Sequence, residues 1–407
     1  MESFFTAEFF RGNRQRLRQL FKGTAPIVIT ANGLLQRGGD NTYPFRQDSS
    51  FWYLTGIDLP DVVLVIDKDK EYLIVPLQSP NDQVFGSLPE YAALSTRSGI
   101  TSVLDAKTGW KQLSTRLKRV RHVATLAPSP EYIEHYGFFT NPARAQLVKQ
   151  IKDIHPEAKL LDLREHLAKM RVVKQPPELA AIQAAINITT RTIKTLRPKL
   201  AKYHHEYEIE AELTRGFRRQ GALGHAFDPI VASGPNSTTL HYQANNAMLK
   251  PSGVIVLDVG AEVEHYAADI TRTYALKTPT KRQREVFETV RTVQDFAMGL
   301  LKPGLLAKDY EKTIHDFMGE KLRELGLIKS ITEQNVRKYY PHGTSHFLGL
   351  DVHDAGNYKE PLLADMVLTV EPGIYIPQEG LGVRIEDDVL ITPKGNKVLS
   401  GRLPCEL

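Results

Sequence analysis

Val254-Ile255-Val256-Leu257-Asp258-Val259-Gly260 is an apolar run interrupted once, by an acid. Its length, its β-branched residues and the closing glycine predict a buried strand, and a buried strand has no use for an unpaired carboxylate. A second strand is expected over Tyr266–Leu276, so a hairpin between Gly260 and Tyr266 would set Asp258 beside Asp269. The same oddity recurs downstream, where Glu371 follows Met366-Val367-Leu368-Thr369-Val370 and Glu386 stands next to Ile385 within a predicted strand. An ionised carboxylate buried without a partner is so costly that it takes up a proton instead. Four acids on facing strands therefore need positive charge, and two divalent cations supply it, four positive charges against four negative. Oxygen-rich ligation with one imidazole suits Mn2+, Zn2+, Co2+ or Fe2+. The imidazole is sought in His342-Gly343-Thr344-Ser345-His346, whose small central residues predict a loop or strand end. Each acid has a structural alternative. Asp258 could be a hydrogen-bonded core acid, Glu371 a strand-end residue, and Asp269 and Glu386 ion-pair partners of Arg272 and Arg384. The joint pattern favours the cation site.

Around this stretch the order helix, helix, strands occurs twice. Pro176-Pro177-Glu178 opens a helix in which Leu179, Ile182, Ile186, Ile193 and Leu196 recur at helical spacing as far as Pro198. Ile209, Leu213 and Phe217 mark a second helix, ended by Gly221. Strands follow at Pro229–Ala232, Val254–Gly260 and Tyr266–Leu276. Thr280 with Gln283 then forms a capping box for a helix carrying Val286, Val290, Val293 and Ala297 up to Pro303-Gly304. Tyr310, Ile314 and Phe317 mark the next helix, ended by Gly326, and strands return at Met366–Ile376 and Gly382–Ile391. Over residues 169–407 this predicts an α+β domain of two related halves, with one curved antiparallel sheet and helices on its outer face. Residues 1–168 alternate strands (Ala25–Ala31, Val62–Ile66, Tyr72–Pro76, His122–Leu126) with helices (Glu8–Phe21, Asn141–His155), as an α/β domain with a partly parallel sheet does. That half carries neither common phosphate-binding glycine loop and by itself points to no function.

A length of 407 residues exceeds one hydrophobic core, so two domains are expected. Hydrophobic residues at 42% and charged residues at 24% exclude disordered and fibrous classes. No run reaches the roughly 18 apolar residues of a membrane span. Met1-Glu2-Ser3-Phe4-Phe5 lacks the basic-then-apolar start of a secretory signal. Glu2 and Glu8 oppose a mitochondrial transit peptide, although Arg11, Arg14, Arg16 and Arg18 are its residue type. The single cysteine, Cys405, can form no internal disulfide, which fits a reducing compartment, here the cytoplasm. The net charge of +5 is spread along the chain, and Arg116-Leu117-Lys118-Arg119-Val120-Arg121 reads as a solvated face, so no nucleic-acid partner is expected. His205-Glu206 has no second histidine at the spacing of a zincin helix.

With these residues on view, the sequence resembles the "pita-bread" metallopeptidases of the creatinase/aminopeptidase-like fold. Leu257-Asp258-Val259-Gly260 through Tyr266-Ala267-Ala268-Asp269-Ile270-Thr271-Arg272-Thr273 resembles their metal-site hairpin. His342–His346, Leu350-Asp351-Val352-His353-Asp354, Val370-Glu371-Pro372-Gly373 and Arg384-Ile385-Glu386-Asp387-Asp388 match their other motifs in order. Tyr43-Pro44-Phe45-Arg46-Gln47-Asp48-Ser49-Ser50-Phe51-Trp52-Tyr53-Leu54-Thr55-Gly56 resembles the leader domain of aminopeptidase P, the Xaa-Pro aminopeptidase. Nearly the whole chain is covered. Methionine aminopeptidases share the ligands but lack the long leader. Prolidases share both domains, and the wording His-Gly-Thr-Ser-His favours aminopeptidase P over them.

The resemblance implies that Asp258 binds one cation, that His346 and Glu371 bind the other, and that Asp269 and Glu386 bridge the two, with Mn2+ the first candidate. A hydroxide held between the cations would attack the bond between an N-terminal residue and a following proline, with Glu371 accepting and returning the proton. His241 and His353 would stabilise the oxyanion or the prolyl carbonyl, and His342 and Tyr375 would line the pocket for the proline ring. Arg384, two residues before Glu386 and so on the same strand face, would orient a ligating carboxylate or shuttle protons. An Xaa-Pro bond carries no N–H, so recognition must rest on ring shape. The resemblance also implies a homodimer or homotetramer whose leader domain limits access, Val84-Phe85-Gly86 being the counterpart of an aromatic segment at the entrance. The alternatives are a prolidase restricted to dipeptides, a catalytically silent pita-bread binding module, and a creatinase-like amidinohydrolase. Neither of the last two shares the full ligand set.

Overall fold

The computed structural model describes residues 2–68, 70–77, 89–128, 137–251 and 253–407. Contacts divide the chain into two compact units, Phe5–Met170 and, together with the residues up to Phe4, Arg171–Leu407.

In the first unit six strands pair in the order Ser102–Asp105, Lys70–Val75, Val63–Asp67, Ile27–Thr30, His122–Thr125, Lys159–Asp162. The sheet is mixed, as its sequence suggests: Ile27–Thr30 runs antiparallel to Val63–Asp67 and parallel to His122–Thr125. Parallel neighbours need a long crossover, and helix Ala143–Ile154 lies in the one joining His122–Thr125 to Lys159–Asp162. Val28, Val65, Ile74, Leu113, Val123 and Ile151 fill the core. In the Tyr43–Gly56 stretch, Asp48 caps a short helix, Ser49–Thr55, by accepting from the Phe51 amide, and Phe51, Trp52, Tyr53 and Leu54 are all buried. Gly56 ends it in the left-handed region (φ 66°), where a Cβ would stand 2.3 Å from the Phe10 ring, so no other residue fits there. In the basic run, Arg116 pairs with Asp67 at 2.7 Å while Arg119 and Arg121 are exposed. Val84-Phe85-Gly86 lies outside the described residues.

The second unit has the doubled order read from the sequence. Helix Pro176–Leu196, opened by a capping box of Gln175 and Glu178, packs on helix Glu206–Arg219, which buries Ile209, Leu213 and Phe217. Strands Ile230–Ser233, Val254–Val259 and Ile270–Ala275 form an antiparallel ladder. In the second half, Thr280 and Gln283 cap helix Lys281–Leu300 with reciprocal bonds of 2.8 and 3.2 Å. It packs on Ala307–Glu324. That helix buries Tyr310, Ile314, Met318 and Leu322, a stripe in steps of four. Phe317, expected on that stripe, lies one position off it, half-buried and stacked on Phe296 at 4.2 Å. Val367–Val370, Asp387–Thr392 and Gly395–Val398 form the second ladder, and Gly373–Ile376 pairs with Leu381–Arg384. Every strand pair described in this unit is antiparallel. The two halves are stitched where the Glu386 amide donates to the Thr271 carbonyl (3.0 Å) and the Thr273 hydroxyl donates to the Arg384 carbonyl (2.8 Å).

Candidate metal centre

That seam gathers the acids. Asp258 sits inside strand Val254–Val259, opposite Thr271. The chain then leaves the ladder at Gly260 through a small hairpin, whose turn residues Glu264 and His265 have φ of 47° and 69°, and returns with Asp269 immediately before strand Ile270–Ala275. Glu371 falls in the gap between Val367–Val370 and Gly373–Ile376, and Glu386 in the gap between Leu381–Arg384 and Asp387–Thr392. The sequence had placed Asp269 and Glu386 within strands and Arg384 on one strand face with Glu386. The structure corrects both points, because strand Ile270–Ala275 begins only after Asp269 and strand Leu381–Arg384 ends before Glu386. A pleated strand can aim a side chain only at its two faces, whereas a break frees the backbone to turn a carboxylate toward a common point.

Asp269, His346 and Glu386, all buried, each offer one ligand atom, and these atoms lie within 4.8 Å of one another. His346 Nε2 is 3.4 Å from Asp269 Oδ2 and 3.4 Å from Glu371 Oε1. Asp258 stands beside Asp269, near enough for its charge to raise the Asp269 pKa. Of the five residues singled out for cation binding, the structure groups Asp269, His346 and Glu386, sets Glu371 against His346 and puts Asp258 beside Asp269. His346 Nδ1 faces its neighbour's carbonyl, that of Phe347, at 3.2 Å, which leaves the Nε2 lone pair for the acidic cluster.

Burial first, then Asp258, Asp388 and Glu371, hold the Asp269 carboxyl well above the usual carboxylate range. Burial followed by Asp269, Glu371 and Asp258 does the same to Glu386. Glu371 is pushed up to about 7 by burial, against the opposing influence of His346 and Arg384. Oδ1 of Asp258 and Oδ1 of Asp269 are buried with no hydrogen-bond donor. The structural alternative of local ion pairs does not form. Arg272 binds Asp387 at 2.7 Å, and the Arg384 guanidinium binds Asp258 Oδ2 at 2.6 Å. One guanidinium does not balance four clustered acids, and the orphaned oxygens are what a divalent cation would take up. The donor set fits a metal.

Several residues that support the cluster were not singled out from the sequence. The Thr271 hydroxyl donates to Glu386 Oε2 at 2.6 Å, and the Asp269 amide donates to Asp388 Oδ2 at 3.2 Å. Glu311 accepts from the amide and hydroxyl of Thr344 (3.0 and 3.1 Å), and Tyr310 reaches Ser345 at 3.1 Å, so helix Ala307–Glu324 holds the loop bearing His342 and His346. Asp354, buried, binds both Arg171 and Lys174, the latter at 2.8 Å, which pins the loop next to His353. Glu311 left one trace in the sequence, an acid beside Tyr310 at the edge of an apolar stripe. Thr271 left none, since threonine is common in strands.

On the open side, Arg384 Nη1 donates to the Tyr375 hydroxyl (2.9 Å), and that oxygen lies 2.8 Å from His342 Nε2. His342 Nδ1 lies 2.7 Å from the Gly343 carbonyl, so both ring nitrogens are engaged and the ring serves as wall. His353 is exposed and stacks on His346 with ring centroids 4.0 Å apart. His241 is exposed on the segment after strand Ile230–Ser233 and is a near neighbour of both His342 and His353. Burial above all pushes His342 down to about 3 and His353 down to about 4, so both are neutral at physiological pH.

Comparison with known proteins gives a consistent result. A sequence model described as metallopeptidase family M24 matches residues 180–393, and one described as the aminopeptidase P N-terminal domain matches residues 10–124. The chain is 33% identical to a Xaa-Pro aminopeptidase of Haemophilus influenzae, over 98% of this chain and 95% of that protein. It is 32% identical to the Xaa-Pro aminopeptidase of Escherichia coli, over 97% and 94%. Among solved structures it superposes on proline aminopeptidase P II from Yersinia pestis with a TM-score of 0.85 at 30% identity, covering 99% of this chain and 98% of that one. On E. coli aminopeptidase P with the inhibitor Pro-Leu the TM-score is 0.86 at 28% identity, covering 99% and 96%.

Proposed function

We propose that this chain, which belongs to metallopeptidase family M24, is a metal-dependent Xaa-Pro aminopeptidase that releases the N-terminal residue preceding a proline. The observation that carries this reading is the buried group Asp269, His346 and Glu386, with Glu371 against His346, Asp258 beside Asp269, and an oxygen of each aspartate left unpaired. These five residues would hold two divalent cations, Mn2+ first among them. Metal ions held there would supply an activated water and polarise the scissile carbonyl. Glu371, with one oxygen beside His346, would take the proton as the nucleophile attacks and return it to the leaving prolyl nitrogen. His353 and His241, on the open side, donate hydrogen bonds to the oxyanion and the prolyl carbonyl. His342 and Tyr375 wall the proline pocket, and Arg384 orients Asp258 and Tyr375. Pro-Leu, the inhibitor held by the E. coli relative, has the prolyl amino terminus that such a cleavage would produce, which supports the reading. We place the protein in the cytoplasm, as a homodimer or homotetramer. No described helix is long and apolar enough to cross a membrane.

Initial rates on Xaa-Pro-Xaa tripeptides and Xaa-Pro dipeptides test the assignment. The tripeptide should be cleaved at the Xaa-Pro bond, whereas good dipeptide turnover without tripeptide cleavage would make the chain a prolidase. His353→Ala should lower kcat by about 10²-fold, the usual cost of an oxyanion donor, with metal content unchanged on elemental analysis. Loss of metal in that variant would instead make His353 a ligand.

A further inference from the structure

Of the pair His205-Glu206 the metal centre uses neither residue, yet Glu206 is fully buried at the first position of helix Glu206–Arg219. Its oxygens take five donors. Oε1 accepts from the Ser233 amide (2.8 Å), the Ser233 hydroxyl (2.7 Å) and Asn236 Nδ2 (3.2 Å). Oε2 accepts from the Tyr242 hydroxyl (2.7 Å) and the Ala247 amide (2.9 Å). One helical turn on, Glu210 accepts from Asn245 Nδ2 at 2.9 Å, while the Asn245 side-chain carbonyl accepts from the Val231 amide at 3.0 Å. The returning chain is latched again where the Glu206 amide meets the Ala247 carbonyl (3.1 Å) and the Leu249 amide meets the His204 carbonyl (2.8 Å). Every donor to the two glutamates comes from residues 233–247, the segment whose exposed middle is His241.

Chemistry explains the choice of a carboxylate. It alone at this size presents lone pairs on both oxygens and no hydrogen, and the positive end of the helix favours its charge. Its burial serves no apolar packing, so its place is explained by what it holds. We propose that Glu206 is a positioning residue for His241: by gathering Ser233, Asn236, Tyr242 and Ala247 it fixes both ends of the His241 segment and so the place of that imidazole at the substrate. This rests on His241 acting on the substrate of an Xaa-Pro aminopeptidase.

The test uses the full chain reconstituted with Mn2+. In Glu206→Gln the amide nitrogen cannot accept, so donors on one side lose their partner. Against an Xaa-Pro-Xaa tripeptide, kcat should fall by about 10–100-fold, the scale of a misplaced catalytic group. KM and metal content should stay at wild-type levels, and the Ala247 amide should exchange its hydrogen faster. In a His241→Ala background the same substitution should cost no further activity, since two residues acting through one element are not additive. Tyr242→Phe, which removes one donor, should give a smaller fall of about 3–10-fold and serves where Glu206→Gln does not fold. Wild-type kcat in Glu206→Gln, or an equal further loss in the His241→Ala background, overturns the proposal. If the wild-type chain binds metal but cleaves no Xaa-Pro bond, the functional reading fails, and unchanged Ala247 exchange then decides separately against the tether.

Discussion

Replacing Asp269 by alanine should lower turnover of an Xaa-Pro peptide by about 10³-fold or more and leave the protein with less bound metal than wild type, because metal affinity and reactivity would both depend on the ligand we propose it to be. Asp269 is where the cluster's interactions meet. It faces His346 at 3.4 Å, lies beside Asp258, and after burial itself is the neighbour that most raises the pKa of Glu386. Removing it takes one carboxylate from a cluster able to hold a metal, and withdraws an oxygen that has no donor of its own. Elemental analysis after reconstitution and initial rates check the result together. Thermal melting adds a reading independent of turnover: added Mn2+ should raise the wild-type Tm by binding the folded state, and should raise the variant's Tm less. Full metal content with full activity would falsify the ligand assignment.

Gly260→Ala should destabilise the protein by about 3 kcal/mol or more, the upper range for overpacking a buried site. For a unit of this size that is a Tm lower by roughly 6–12 °C. A Cβ at Gly260 would stand 1.6 Å from the Ala268 carbonyl oxygen and 3.2 Å from the Phe227 ring. The first contact is with backbone, so no rotamer change relieves it. Gly260 and Ala268 flank the hairpin that separates Asp258 from Asp269, and forcing them apart moves the two carboxylates relative to each other. The variant should therefore lose metal affinity together with stability. Gly299→Ala is the control: nothing lies within 4 Å of a Cβ there, inside helix Lys281–Leu300, and it should be neutral or stabilising by about 0.5–1 kcal/mol. Calorimetry on the two variants separates the close approach from any general effect of losing a glycine, and equal melting points would sink the explanation.

The chain's local chemistry carries its organisation far. Capping residues Thr280 and Gln283, the proline pair before Glu178, and the i, i+4 apolar steps in both helix pairs are local signals. Local signals survive because helix ends and buried faces must be satisfied wherever the helix lies. The acids Asp258, Asp269, Glu371 and Glu386 were visible for a similar reason, since polar residues beside apolar strands conflict with their surroundings and conflict marks function. Less visible was how each acid is aimed. Asp269, Glu371 and Glu386 occupy strand breaks, and a break is set by pairing with distant strands.

What the sequence by itself determined is the inventory: two helix–helix–strand halves, five groups able to bind cations, and three further histidines for the open side. Only the tertiary structure decided which charges meet. Arg272 turns to Asp387 and Arg384 to Asp258, while Glu206, Glu311 and Asp354 each hold a histidine-bearing loop from outside the cluster. The physical reason is range. Helix periodicity and capping act over a few residues and are written in neighbouring letters, whereas an ion pair or hydrogen bond to a buried carboxylate depends on distance in space, and the partners here stand as much as 183 residues apart along the chain.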